Sequence, residues 1–362
     1  MSDDTGSTDR ASGAAMASVQ PGRSGLIRSI VHRLVGEQLV LPDQGPLPSF
    51  EGATGWLNSD PLSAEELLGR VVLVDFWTYT CVNWLRTLPY LRAWAAKYQD
   101  DGLTVIGVHT PEFGFERNLD NVVAQSRVLG VEYPIAVDNE YAVWSAFANH
   151  FWPAVYVADE KGQIRFHHFG EGEYPMTEMV IQQLLLDAGA DAIDQDLVMV
   201  DPRGLEVGAD WQTLQSPETY VGHTQSTGFA QQSVARYDEA RVYTLPGRLG
   251  RNEWGLSGNW TVAGPAATLN EPGGRIAFRF HARDLNLVMG PTSRGASIAF
   301  RVYLDDQLAE HERGSDVDPN GGGSVRDQRT YQLLRQPGAI ADRLFEVEFL
   351  DAGVEAYCFT FG

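Results

Sequence analysis

A thiol stands at Cys81, where the run Val71-Val-Leu-Val-Asp-Phe-Trp-Thr-Tyr-Thr ends and a helical pattern opens with Val82, Asn83 and Trp84. The macrodipole and unpaired N–H groups of a helix N-terminus favour thiolate, the form that attacks disulfides and peroxides. Arg86, one turn into the helix, is placed to add positive potential. Asp75 lies six residues before the thiol, inside the apolar run. A buried Asp has a raised pKa and can pass a proton at neutral pH, or it is a satisfied structural carboxyl; both readings stand. No second thiol follows in the first helical turn, because Trp84 stands three residues on. A mixed disulfide on Cys81 therefore needs an external thiol reductant to release it.

The elements that must hold these residues alternate strand and helix from Trp56 to about Ala190, the pattern of an α/β domain. The run ending at Phe76 is apolar almost throughout, as a strand buried on both faces requires. Helices are expected over 82–98, 118–129, 141–148 and 177–188, and strands over 103–109 and 135–137. Pro89 falls inside the first of these helices, where it should kink the axis. Strands 155–159 and 164–169 read as a hairpin turning at Lys161-Gly162, with Trp152-Pro153 opening the first. Residues 63–68 read as a short helix, with Ser63 and Glu66 at capping-box spacing.

Residues 191–216 have no sustained period and read as a linker. From 217 to 362 the pattern becomes strand-like alternation, clearest over 275–281, 285–289, 298–304, 344–349 and 356–361, which reads as an all-β sandwich. Ahead of the α/β domain at 50–190, residues 1–24 read as a disordered tail rich in Ser, Gly, Ala and Asp. Residues 25–49 hold an amphipathic pattern (Leu26, Ile27, Ile30, Val31, Leu34, Val35) and a connector with Pro42, Pro46 and Pro48. That helix is expected to dock on its own domain rather than on a membrane.

A formal charge of -21 over 362 residues argues against nucleic-acid binding, which needs basic patches. No run approaches the roughly 20 apolar residues of a membrane span. Asp3, Asp4 and Asp9 with no hydrophobic run exclude a secretory leader at the start of this sequence, and two cysteines make no disulfide framework. A cytoplasmic setting is expected.

Around Cys81, the positions of Asp75, Trp77, Pro89 and Pro153 resemble the buried acid, aromatic, helix proline and cis-proline of the thioredoxin superfamily. Trp77-Thr-Tyr-Thr-Cys81, Gly107-Val-His-Thr-Pro-Glu-Phe113, Tyr133-Pro-Ile-Ala-Val-Asp138 and His168-Phe-Gly-Glu-Gly-Glu-Tyr174 resemble the soluble region of DipZ-type proteins and the wider TlpA-type and redoxin branch. In that group a β-sandwich resembling a carbohydrate-binding module follows, with borders similar to Ser216-Pro-Glu-Thr-Tyr220 and Phe359-Thr-Phe-Gly362. The resemblance implies a thioredoxin-like fold and dithiol–disulfide exchange in cell redox homeostasis. The chain departs from it at Trp84, which replaces the second cysteine. Thr78-Tyr-Thr-Cys81 also resembles the Thr-x-x-Cys of peroxiredoxins, which implies antioxidant activity through a sulfenic acid, although Val74 replaces the expected proline.

The expected catalytic residues are Cys81 and Asp75, with Trp77, Thr78, Trp84, Trp152 and Pro153 shaping a groove for a protein disulfide or a peroxide. No cofactor or resident metal is expected. The rival reading is a redox-inactive binding or scaffold protein. Cys358, between Tyr357 and Phe359, reads as a buried core thiol, and His109 and Glu112 fall at the sheet edge near Cys81. His167 and His168 point to opposite faces of their strand, a poor geometry for joint metal binding. Asp316, Asp318, Asn320 and Asp327 match a calcium-loop spacing without flanking helices, and a Gly-rich turn is the plainer reading. Trp254, Trp260 and Tyr243 are a candidate carbohydrate platform or, alternatively, sandwich core.

Overall fold

The structure is a computed structural model that describes residues 39–362. The expected tail and the apolar positions of the amphipathic pattern lie outside the described residues. Strands β1 (Gly55–Leu57), β2 (Val71–Trp77), β3 (Leu103–His109), β4 (Ile135–Val137), β5 (Ala154–Ala158) and β6 (Ile164–Phe169) form one sheet in the order β1-β4-β3-β2-β5-β6. β2, β3 and β4 run parallel, while β1, β5 and β6 pair antiparallel. Every residue of β2 is buried, which is why its sequence is apolar on both faces. Its odd-numbered positions, such as Leu73 and Trp77, pack under α1 (Val82–Tyr98), α2 (Leu119–Val128) and α4 (Tyr174–Asp187). Val72, Val74 and Phe76 face the other way, toward α3 (Ala142–Ala146).

The expected helix at 63–68 is a turn instead. Its capping-box bonds do form, Ser63 N–H donating to Glu66 Oε2 at 2.9 Å and Glu66 N–H to Ser63 Oγ at 3.3 Å. Gly69, at φ +87°, turns the chain into β2 before a second helical turn can follow. Residues 191–216 lie along the α/β domain: Arg92 pairs with Glu206, Val198 N–H donates to Glu178, and Ile193 and Leu205 pack on the core.

The second half is antiparallel β throughout. Its strands are β7 (Thr219–Tyr220), β8 (Ala240–Tyr243), β9 (Trp254–Val262), β10 (Ala267–Leu269), β11 (Gly274–Phe280), β12 (Asp284–Pro291), β13 (Ile298–Leu304), β14 (Gln307–Leu308), β15 (Gly322–Val325), β16 (Arg329–Arg335), β17 (Arg343–Phe349) and β18 (Val354–Phe361). The order along the sheet is β14-β13-β17-β11-β9-β10-β18-β12-β16. β9 links the two layers of the sandwich: Trp254–Ser257 pair with β11, whereas the later residues pair with β8 and β10. Gly258 makes that corner at φ +94°, where a Cβ would meet the Cα of Gly274 at 2.8 Å. Trp254, Trp260 and Tyr243 are all buried in this core, so they form no exposed sugar platform.

The β-sandwich docks on the end of the sheet where Cys81 lies. Phe113, in the loop after β3, packs with Ala266, Val288, Tyr357 and Cys358. Tyr357 meets the rings of Phe113 and Phe115 edge-on at 5.4 and 4.8 Å. Burying a Phe-sized side chain contributes roughly 1.5–3 kcal/mol, so this aromatic patch is a substantial part of the docking.

Candidate functional site

Cys81 is the N-cap residue of α1, and its carbonyl accepts the Leu85 N–H at 3.0 Å. The loop before it is tied down by Glu116, whose buried carboxylate accepts the Thr80 hydroxyl at 2.6 Å. The same carboxylate accepts the N–H groups of Glu112 and Phe113 at 2.7 and 2.8 Å. One side chain thus fixes both loops that frame the thiol. From the other domain, the Thr330 hydroxyl donates to the Thr80 carbonyl at 2.7 Å.

At this thiol the pull of the helix N-terminus meets burial. Cys81 is only 8% exposed. Burial pushes its thiol well above the usual range, and the carboxyl of Glu112 adds to the push; the N–H groups of Trp84 and Asn83 oppose it and lose. Arg86 does not offset this. Its guanidinium pairs with Glu171 at 3.2 Å and donates to the Phe361 carbonyl at 3.0 Å, so it clasps the two domains instead of serving the thiol.

Asp75 has found a different partner from a second thiol. The Trp84 indole N–H donates to its Oδ2 at 2.7 Å, and that indole stacks on Trp77 at 4.2 Å between centroids. Burial raises Asp75 to about 8 against the opposing indole bond. Trp77, Thr78, Trp84 and Pro153 are all buried and Trp152 half-buried, so the expected open groove is closed in this arrangement. The Trp152–Pro153 bond is cis. The register Phe76↔Ala154 between β2 and β5 sets Pro153 beside Trp77, at the end of the sheet that carries Cys81.

The raised Asp75 has a consequence for stability. Its folded value lies above its unfolded one, so the folded chain holds a proton that the unfolded chain gives up. This contribution is complete below about pH 4 and is lost as pH rises through about 8. Relative to wild type, Asp75→Asn should gain stability steadily over that window, by up to about 5 kcal/mol, while keeping an acceptor for the indole. Thermal melts of both proteins across pH check it; parallel curves would show that Asp75 does not titrate there.

His109, paired with Trp77 in the register of β2 and β3, lies between the rings of Trp77 and Tyr79. Burial lowers it to about 3, which keeps it neutral. Glu112 is half-buried and accepts the Tyr220 hydroxyl from β7. Burial raises the carboxyls of both Glu112 and Glu218, and their proximity raises Glu112 further. Glu116, Glu218, Tyr220 and Thr330 were not among the candidates drawn from the sequence. Only Glu218 and Tyr220 carried a signal, as members of the Ser216–Tyr220 border.

The candidate calcium loop is satisfied from within. Asp316 pairs with Arg329 at 2.6 Å, and Asp318 accepts the N–H groups of Asn320 and Gly322. His167 bonds Gln44 while His168 lies against the Glu171 carbonyl, and the two share no site.

The profile of the AhpC/TSA family matches residues 44–167, and that of the thioredoxin-like C-terminal domain matches residues 216–362. The thiol-disulfide oxidoreductase YkuV of Bacillus subtilis is 30% identical over 143 residues, which cover 39% of this chain and 95% of YkuV. The chain belongs to the thioredoxin-like redoxin family. Protein DipZ of Mycobacterium tuberculosis is 38% identical to this redoxin over 253 residues, 68% of the chain. The match spans 35% of the length of DipZ.

Proposed function

We propose that this redoxin acts on a protein disulfide or a peroxide through the single thiol of Cys81, with an external thiol as the final reductant. The observation that carries the reading is the placement of Cys81 at the N-cap of α1, beside the sheet end marked by Trp77 and Pro153. Attack on a disulfide gives a mixed disulfide and a free thiol; attack on a peroxide gives a sulfenic acid and an alcohol or water. In this reading Asp75, expected from the sequence as catalytic, acts through Trp84 as a positioning residue for the first turn of α1. A cytoplasmic, reducing setting belongs to this reading, because an external thiol must be at hand to return Cys81 to its reduced form. Carbohydrate recognition by the β-sandwich rests only on its resemblance to binding modules.

A redox-inactive scaffold is favoured by one observation, the burial of Cys81, which pushes its thiol upward. The two readings part on pH. Because the thiol is raised, its reaction with peroxide or glutathione disulfide should speed up about tenfold per pH unit through neutral pH, with no plateau below about 9. Cys81→Ser should abolish it. Mass spectrometry that finds neither sulfenic acid nor adduct on Cys81 at any pH would establish the scaffold reading.

A further inference from the structure

The second thiol of this molecule lies in the other domain, on the sheet that docks beside the Cys81 loop. Thr330, whose hydroxyl holds the Thr80 carbonyl, pairs with Val288 in β12, and Val288 pairs with Cys358 in β18. Cross-strand partners share a face of the sheet, so all three lie on the face that Thr330 turns toward the Cys81 loop. The register slips at this place: Val288 opposes Cys358 and Met289 opposes Ala356, leaving Tyr357 as an extra residue. A bulge of this kind re-aims the side chains around it. Tyr357 and Cys358 both pack with Phe113 of the α/β domain, so both face the docking surface.

The polar groups there also belong to both thiols. Cys358 Sγ lies 3.8 Å from Glu218 Oε1, and Tyr220, opposite Cys358 in the register of β7 and β18, donates to Glu112. Glu112 and Glu218 each act electrostatically on Cys81 and on Cys358. Cys358, Glu218 and the Tyr220–Glu112 pair thus meet where the β-sandwich packs on the loop that frames Cys81. A purely structural core cysteine has no need of a carboxyl beside its sulfur.

We propose that Cys358 is the resolving thiol of Cys81, closing an intrachain disulfide across the domain interface. The proposal rests on the reading of Cys81 as the attacking thiol. After peroxide, the sulfenic acid of Cys81 and the thiol of Cys358 give the disulfide and one water. After a disulfide substrate, the Cys358 sulfur attacks the Cys81 sulfur of the mixed disulfide and the substrate leaves as a thiol. Glu218 takes the Cys358 proton as the sulfur attacks, and the departing hydroxide or thiolate receives a proton in turn. An external dithiol then reduces the bridge and is itself oxidised to a disulfide. The step lost at Trp84 is in this way supplied from the β-sandwich. Closure needs the two Cα atoms within about 7 Å.

The test treats the full chain with one equivalent of hydrogen peroxide, or separately with glutathione disulfide, alkylates it under denaturing conditions and maps its peptides by mass spectrometry. Wild type should yield the peptide pair bridged between Cys81 and Cys358. Cys358→Ser and Cys358→Ala should lose the bridge and retain Cys81 as a dimedone-trappable sulfenic acid or a glutathione adduct. The wild-type map decides the matter alone should either variant fail to fold. If wild type keeps the sulfenic acid or adduct on Cys81 and an alkylated Cys358, the proposal is overturned and the attacking role of Cys81 stands. If Cys81 is unmodified in every protein, both are overturned.

Discussion

Trp84→Cys should cost about 3–5 kcal/mol of stability even though it restores the two-thiol spacing of the family. Trp84 is fully buried, stacks on Trp77 and gives Asp75 its hydrogen bond. The replacement opens a void under α1, where the packed interior relaxes only in part. It also removes the indole donor from a carboxyl buried beyond the reach of solvent, which pushes Asp75 higher still. The new thiol should bridge to Cys81 on oxidation, because the first turn of α1 keeps its backbone. Urea unfolding with and without oxidant separates the two effects. Trp84→Phe isolates the hydrogen bond, keeping most of the volume and losing about 1–3 kcal/mol. If Trp84→Cys unfolds at the wild-type urea concentration, the indole is not the structural replacement described here.

This result would explain why a motif can lose one cysteine and keep its scaffold. In a two-thiol enzyme the buried acid faces a thiol. Here a large aromatic ring gives one oxygen of the acid its hydrogen bond, so placing a thiol at position 84 must dismantle a packed contact.

The α/β domain was legible from the chain because its signals are local. β2 declares itself by an apolar run with no polar face, and β6 by the turn at Lys161-Gly162. The position of Cys81 follows from the strand before it and the helix after it. The burial of Trp77 and Trp84 was not legible: aromatic residues beside a thiol read equally well as groove walls and as floor. The docking was less legible still. It depends on Thr330 meeting Thr80 and on Phe361 meeting Arg86, pairs separated by 250 and 275 residues. It also depends on one bulge at Tyr357, which alternation alone would have turned the other way. The reversal of the thiol's expected acidity came from the same source. The helix N-terminus is visible in the sequence, whereas the burial of the sulfur and the approach of Glu112, with Glu218 from the second domain, are not.

Arg86→Ala should open this interface and lower stability by about 3–5 kcal/mol, the cost of leaving a buried ionic partner alone. Glu171 is nearly as buried as Arg86 itself, with side-chain exposures of 8% and 2%. Burial already raises the Glu171 carboxyl, and the guanidinium is what restrains it. Without Arg86 the carboxyl should be pushed up further, so the loss should be larger at high pH than at low. The Phe361 carbonyl loses its donor at the same time, which frees the end of β18 three residues beyond Cys358. Hydrogen exchange should therefore quicken in β18 and in its neighbour β12. Arg86→Lys should recover only part of the loss, since one ammonium cannot reproduce a planar fork that meets Glu171 and Phe361 together. Alkylation of Cys81 gives the decisive readout. If the β-sandwich is what covers the thiol, loosening the clasp should raise its reaction rate. An unchanged rate in an Arg86→Ala protein with faster exchange in β18 would show that the α/β domain buries Cys81 by itself.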